Sequence, residues 1–218
     1  MAPFAWRRNK HIQQTPCALV AYNRKDAFYR KAKKEGYRSR AAYKLLELNY
    51  TWRFLRPGTR VIDLGSWPGG WVQVAATIVT QTGQVIGIDL VKLDPLTPAH
   101  VTLVQGDATD QDQQQALLSL LGQRANVILS DMAPKLSGVR EADEARATAL
   151  CRTALACSHS LLKPGGSLLL KIFMNDEYQP LLAELRAAFG HVKTSRPQAT
   201  RKGSAEVYLL ATDKKNMV

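Results

Sequence analysis

From Arg60 onward, short apolar runs alternate with amphipathic segments of helical length. No other feature constrains the fold as much. The runs RVIDLG (60–65), QVIGIDL (84–90), VTLVQGD (101–107), NVILSD (126–131), SLLLKIF (167–173), HVKTSRP (191–197) and EVYLLAT (206–212) read as strands. Between them, WVQVAATIVT (71–80), QQQALLSLLG (113–122), ADEARATALCRTALACSHSLL (142–162) and a segment at roughly 177–189 read as helices. Such alternation implies a largely parallel sheet covered by helices on both faces. The last connection differs. Only eight residues, 198–205, separate the final two strands, whereas a parallel crossover needs about a dozen or more. The expected fold is α/β: a doubly wound, mostly parallel seven-stranded sheet with an antiparallel C-terminal strand.

Charge is distributed unevenly over the 218 residues. Thirty Lys and Arg against eighteen Asp and Glu leave a net charge of +12. The first 60 positions hold 15 basic and 3 acidic residues, which accounts for the whole excess. A basic excess of this kind points to a polyanion, nucleic acid before membrane. The expected organisation is a basic N-terminal arm over 1–23 and a single domain over 24–218 that begins with basic helices. RKDAFYRKAKKEG and YRSRAAYKLLELN (24–49) read as two helical pieces broken at Gly36. The first interleaves basic residues with Phe28 and Tyr29, a pattern suited to phosphates and stacked bases. Arg30, Lys33, Lys34, Arg38, Arg40, Arg201 and Lys202 are the candidate RNA contacts.

Several function classes are disfavoured. No run approaches ~18 uncharged apolar residues, so no membrane span is expected. No apolar segment follows the basic residues of the arm, which disfavours a signal peptide. Cys17, Cys151 and Cys157 form no CxxC, which fits a reducing compartment without a zinc or disulfide framework. His11, His100, His159 and His191 are scattered without metal spacing, so no metal is expected.

Ligands of such sheets bind outside the carboxyl ends of the strands. Asp89, Asp107 and Asp131 close the second, third and fourth predicted strands. Asp89 lies 24 residues after Gly65, the spacing at which a carboxylate meets ribose hydroxyls. Gly65, Gly69 and Gly70 allow close backbone approach to a ligand, though an ordinary tight turn would use them too. Their turn, Asp63 to Trp71, is not GxGxxG, which disfavours a nicotinamide site. Asp107 is equally suited to capping the next helix. Two lysines stand in apolar settings: Lys171 inside SLLLKIF, and Lys44 on a helical face with Ala41, Leu45 and Leu48. Either could simply snorkel. If the last strand is antiparallel, however, Asp131, Lys171 and Glu206 converge at one edge of the sheet.

These residues carry a resemblance. Tyr37-Arg38-Ser39-Arg40-Ala41-Ala42-Tyr43-Lys44, Asp63-Leu64-Gly65 with Pro68-Gly69-Gly70-Trp71, and Ser130-Asp131-Met132-Ala133-Pro134 with Ser137-Gly138 are similar to segments of the FtsJ/RrmJ family of RNA ribose 2′-O-methyltransferases. Leu162-Lys163-Pro164-Gly165-Gly166-Ser167 through Lys171, and Ser204-Ala205-Glu206-Val207-Tyr208, complete the set. The similarity covers roughly residues 24–214, and members acting on bacterial 23S ribosomal RNA are the most similar. The resemblance implies a Rossmann-like class I methyltransferase fold. It also implies a catalytic tetrad of Lys44, Asp131, Lys171 and Glu206. Its S-adenosyl-L-methionine site, which releases S-adenosylhomocysteine, falls on Gly65, Gly69, Gly70, Trp71, Asp89, Asp107 and Asp131. The implied partner is ribosomal RNA, within the large ribosomal subunit, in the cytoplasm or, as an organelle version, the mitochondrion. A monomer is expected, since a basic surface facing RNA needs no dimer. The chain departs from the family at Trp67, where a small residue is usual, at Lys135, and before about residue 24.

The chemistry agrees with the resemblance. Methyl transfer from a sulfonium is an in-line displacement that depends on positioning. A ribose hydroxyl is a poor nucleophile and loses its proton, so a group beside it helps. Lys171 is the candidate, either as a neutral base or as a charged group that orients the hydroxyl. Amine methylation typically uses an Asn/Asp-Pro-Pro-aromatic motif, which Asp131-Met132-Ala133-Pro134 is not. Cytosine C5 methylation needs a nucleophilic cysteine, whereas Cys151 and Cys157 fall in a helix as small core residues. The leading expectation is 2′-O-methylation of a uridine ribose in 23S ribosomal RNA. The alternatives are the same reaction on mitochondrial ribosomal RNA, tRNA or an mRNA cap, or a non-catalytic RNA-binding ribosome-assembly factor.

Overall fold

The computed structural model describes residues 27–135, 137–201 and 203–216. The basic arm expected over 1–23, and Lys202, lie outside the described residues. Two helices come first, α1 (Ala27–Lys34) and α2 (Ala41–Trp52). Gly36 separates them as expected. Its φ of +79° closes α1 in a left-handed cap, with Gly36 N–H donating to the Lys33 carbonyl and Tyr37 N–H to the Ala32 carbonyl.

The alternating region follows as β1 (Arg60–Leu64), α3 (Gly70–Val79), β2 (Gln84–Asp89), β3 (Val101–Gln105), α4 (Gln111–Leu121), β4 (Ala125–Ser130), α5 (Arg140–Leu161), β5 (Leu162–Phe173), α6 (Tyr178–Ala188), β6 (Phe189–Ser195) and β7 (Glu206–Lys214). They form one seven-stranded sheet in the order β3-β2-β1-β4-β5-β7-β6. The pairs among β1 to β5 are parallel, and β7 is antiparallel to both β5 and β6. The short final connection therefore has the consequence expected of it. β5 begins earlier than the sequence pattern implies. Ala125 pairs with Leu162, the register then shifts, and Val127 pairs with Ser167, which absorbs the Lys163–Gly166 turn into the strand.

Successive strand residues face opposite sides of the sheet, and this divides the core in two. Val61, Val85, Val127, Leu129, Leu169, Tyr208 and Leu210 pack toward α2 and α3. Ile62, Ile86, Ile128, Leu168, Leu170 and Leu209 pack toward α4, α5 and α6. Lys171 is two residues beyond Leu169, and Glu206 is two before Tyr208. Both therefore share the α2 side of the sheet, so α2 decides what they meet. No helix among the described residues is long and apolar enough to cross a membrane.

Gly36 tests the cap between the two basic helices. A Cβ there meets nothing within 4 Å, so only the backbone conformation penalises a substitution. Gly36→Ala is expected to cost about 1 kcal/mol and to lower Tm by roughly 2–4 °C. An unchanged melt would contradict the cap.

Candidate active site

Helix α2 presents Arg40, at its N-cap, with Lys44 and Glu47 at helical spacing along one face. All three engage the segment leading into β7. The Arg40 guanidinium donates to the Ala199 carbonyl and lies over the Phe28 ring. The Glu47 carboxylate accepts the Gln198 N–H at 3.0 and 2.8 Å. Ala199 is buried against Ala32 and Tyr43. The β6–β7 connection is thus zipped onto α2, which delivers Glu206 to Lys44.

Lys44 Nζ lies 2.6 Å from Glu206 Oε1 and donates to the Tyr208 hydroxyl at 3.1 Å. That hydroxyl donates to Asp131 Oδ1 at 2.8 Å. Lys171 Nζ is 3.1 Å from the same carboxylate oxygen and donates to the Asp131 carbonyl at 2.8 Å. The four residues expected to act together therefore form one connected chain of contacts. Lys44, Lys171 and Glu206 are buried. Tyr208 links the two halves and was not anticipated as a member of the site. Part of its signal was present in the sequence, two residues after Glu206 and so on the same strand face; the fold adds its register opposite Lys171.

The electrostatics follow from this packing. Burial would raise the Asp131 carboxyl, but the ammonium groups of Lys171 and Lys44 and the bonds from Tyr208 and Lys171 hold it below the usual carboxylate range. Burial, then the Asp131 and Glu206 carboxylates, push the Tyr208 hydroxyl well above its ordinary value, so it stays protonated. Trp71 packs 5.8 Å from the Tyr208 ring and spends its indole N–H on the Ala41 carbonyl at 2.8 Å. Cys151 lies beneath the site, donating to the Lys171 carbonyl at 3.0 Å. Burial pushes its thiol up to about 12, which makes it a core residue rather than a nucleophile.

Beside this chain, Ser39, Ala41, Asp63, Gly65, Ser66, Trp67, Gly70, Trp71 and Asp131 line a narrow cavity of about 40 Å³. Asp63 Oδ2 and Ser66 Oγ are buried there without a hydrogen-bond partner. Burial, with Asp131 and Asp89 nearby, raises the Asp63 carboxyl well above its ordinary value. Two carboxylates and an unused hydroxyl suit a ligand with a cationic amino-acid end. Asp89 accepts the N–H of Trp67 at 2.9 Å and that of Val91 at 2.8 Å. Its carboxylate retains lone pairs for ribose hydroxyls.

Other expected site residues have local duties. Asp107 is exposed and accepts the Thr109 N–H and hydroxyl, both at 2.8 Å. Those bonds lower its carboxyl despite partial burial. Asp110, not Asp107, caps α4 by accepting the Gln113 N–H. A Cβ on Gly70 would overlap the Ser39 hydroxyl, and one on Gly69 would press on Arg38. Here the glycines admit the α1–α2 connection. Gly65 ends β1 beneath Met132. The Arg38 guanidinium donates to the Asp94 and Pro95 carbonyls at 2.7 Å each. Arg38 and Arg40, expected as phosphate contacts, are thus engaged within the protein. Arg30, Lys33 and Lys34 are exposed on α1, and Arg201 is half-buried. Among the described residues, no group of three or more His, Cys, Asp and Glu is placed to hold a metal ion.

Residues 37–214 match the FtsJ-like methyltransferase family. The ribosomal RNA large subunit methyltransferase E of Methanothrix thermoacetophila is 44% identical over 191 residues, spanning 88% of this chain and 73% of that protein. The protein of the same name from Chromohalobacter salexigens is 42% identical over 205 residues, spanning 94% of this chain and 97% of its own. Among solved structures, a ribosomal RNA methyltransferase from Plasmodium falciparum superposes with a TM-score of 0.74 at 28% identity. That match covers 83% of this chain and 100% of that one.

The Asp63 carboxyl, buried with Oδ2 unpartnered, destabilises the protein wherever it would be ionised in the unfolded chain. Asp63→Asn is therefore expected to stabilise at pH 8 by about 1 kcal/mol or more. The gain should vanish below about pH 4, where the carboxyl is neutral in both states. Thermal melts at the two pH values check this, and an equal shift at both would refute it.

Proposed function

Because the chain belongs to the FtsJ-like methyltransferase family, we propose that it transfers the methyl group of S-adenosyl-L-methionine to a ribose 2′-hydroxyl, that of a uridine in the 23S RNA of the large ribosomal subunit. The observation that carries this reading is the connected set Glu206, Lys44, Tyr208, Asp131 and Lys171 beside a cavity lined by unpartnered acidic and hydroxyl groups. The names of the relatives support large-subunit ribosomal RNA as the substrate class.

The bound cofactor supplies an electrophilic methyl group on a sulfonium. The Asp63 carboxyl and the Ser66 hydroxyl would hold its amino-acid end, and Asp89 its ribose. The chain's own residues then position the nucleophile. Lys171 commits two of its three N–H directions to the Asp131 carbonyl and carboxylate, which leaves one for a ribose hydroxyl. Asp131, kept ionised by both lysines, anchors the Lys171 ammonium beside that hydroxyl. Lys44 and Glu206 neutralise one another and hold Tyr208 as a donor toward Asp131. Since Lys171 sits between carbonyl and carboxylate, the site is preorganised before RNA arrives.

RNA would approach over α1, where Arg30, Lys33 and Lys34 are exposed, with Arg201 on the adjoining loop. Residues 1–23 add further basic charge to the N-terminal region in this reading. The protein acts as a cytoplasmic monomer. A non-catalytic assembly role would not require all the groups of the site.

The test is methyl transfer from labelled S-adenosyl-L-methionine to under-methylated large ribosomal subunits, with free ribosomal RNA and tRNA in parallel. The expected product is a 2′-O-methylated uridine, identified by mass. Lys171→Ala is expected to lower kcat by roughly 10²- to 10⁴-fold with cofactor Kd changed only a few-fold. Retained turnover would remove Lys171 from the mechanism, and label on tRNA alone would reassign the substrate. Removal of residues 1–22 is expected to weaken RNA binding, at matched salt, more than cofactor binding.

A further inference from the structure

Asp89 is held between two chain segments, and each carries apolar surface into solvent. On one side, Gly65 and Ser66 both donate their N–H to the Ile88 carbonyl, at 2.9 and 3.1 Å. This fixes the turn that places the Trp67 N–H on Asp89 Oδ2 at 2.9 Å. On the other side, the Val91 N–H holds Asp89 Oδ1 at 2.8 Å. The flanking side chains are unusually open for their type: Trp67 is 58% exposed, Leu90 69% and Val91 52%. Trp67 also lines the cavity shared by Asp63 and Asp131.

An exposed indole on a pinned turn, next to an acid with free lone pairs, is a stacking surface that lacks only its ring partner. A ligand whose ribose hydroxyls reach Asp89 arrives next to Trp67, whose own N–H is bonded to that carboxylate and which lines the adjoining cavity. We propose that Trp67 is a cofactor-contact residue whose indole packs against the adenosyl group of S-adenosyl-L-methionine. This rests on the cofactor reading of the site given above. Leu90 and Val91 add exposed apolar surface on the other side of Asp89 in the chain.

The experiment is calorimetric titration of S-adenosylhomocysteine into the full-length wild type, Trp67→Ala and Trp67→Phe, with melts confirming that each is folded. Loss of the indole is expected to raise Kd about 5- to 100-fold, as for other base–aromatic stacks. Trp67→Phe is expected to stay within about threefold. Tryptophan emission should be quenched by the ligand in wild type and far less in Trp67→Ala. The KM for ribosomal RNA should be unchanged in all three proteins. Equal affinity of wild type and Trp67→Ala would overturn the assignment. So would a raised RNA KM with unchanged affinity, which would place the indole on the RNA side. Absence of binding to wild type would overturn the cofactor reading itself, and this inference with it.

Discussion

The contact between Lys44 and Glu206, 2.6 Å across 162 positions of chain, is the constraint on which the rest of the site depends. It joins the basic N-terminal helices to β7. Buried ion pairs are weak sources of stability, because desolvation of both charges offsets their attraction. This one sits inside a zip that supplies the missing support. Arg40 and Glu47 hold the β6–β7 connection by its backbone, so the position of Glu206 does not rest on the ion pair alone. The pair then has a use beyond stability. It keeps a protonated tyrosine between two lysines and two carboxylates, in a setting where any single removal leaves a buried charge uncompensated.

The sheet explains why this assembly forms on one face only. Alternation along β5 and β7 points Lys171, Glu206 and Tyr208 to the side covered by α2 and α3. The opposite side is filled by Leu168, Leu170 and Leu209. An antiparallel β7 also brings its first residue to the edge where the parallel strands end. Were β7 parallel, Glu206 would open at the far end of the sheet, and Lys44 would have no counterion. The eight-residue connection before β7 is thus a functional feature as much as a topological one.

Much of this was legible in the sequence, and the reasons differ by level. The alternation of strands and helices and the antiparallel end could be read because they depend on run length and connection length, which are local quantities. The convergence of Asp131, Lys171 and Glu206 followed from that topology alone. Lys44 needed the resemblance, since a lysine in an apolar helical stripe is indistinguishable from a snorkelling one until its partner is known. Tyr208 was missed because tyrosine is an ordinary strand residue. Only its register opposite Lys171 turns it from core into site. Gly69 and Gly70 also admit atoms of Arg38 and Ser39, a long-range packing that no local pattern displays.

The basic excess of the N-terminal region divides into two populations that composition cannot separate. Arg38 and Arg40 spend guanidinium donors on backbone carbonyls, and their task is to hold loops. Arg30, Lys33 and Lys34 stand exposed on α1. All five contribute to the long-range field that steers a polyanion toward this face. Only the exposed ones are positioned to displace counterions from phosphates at contact distance. Net charge therefore overstates the contact footprint while stating the steering field correctly. The same arginines that add to the positive field also brace the wall that positions Lys44. Electrostatic attraction and active-site geometry are in this way built from one short segment of chain.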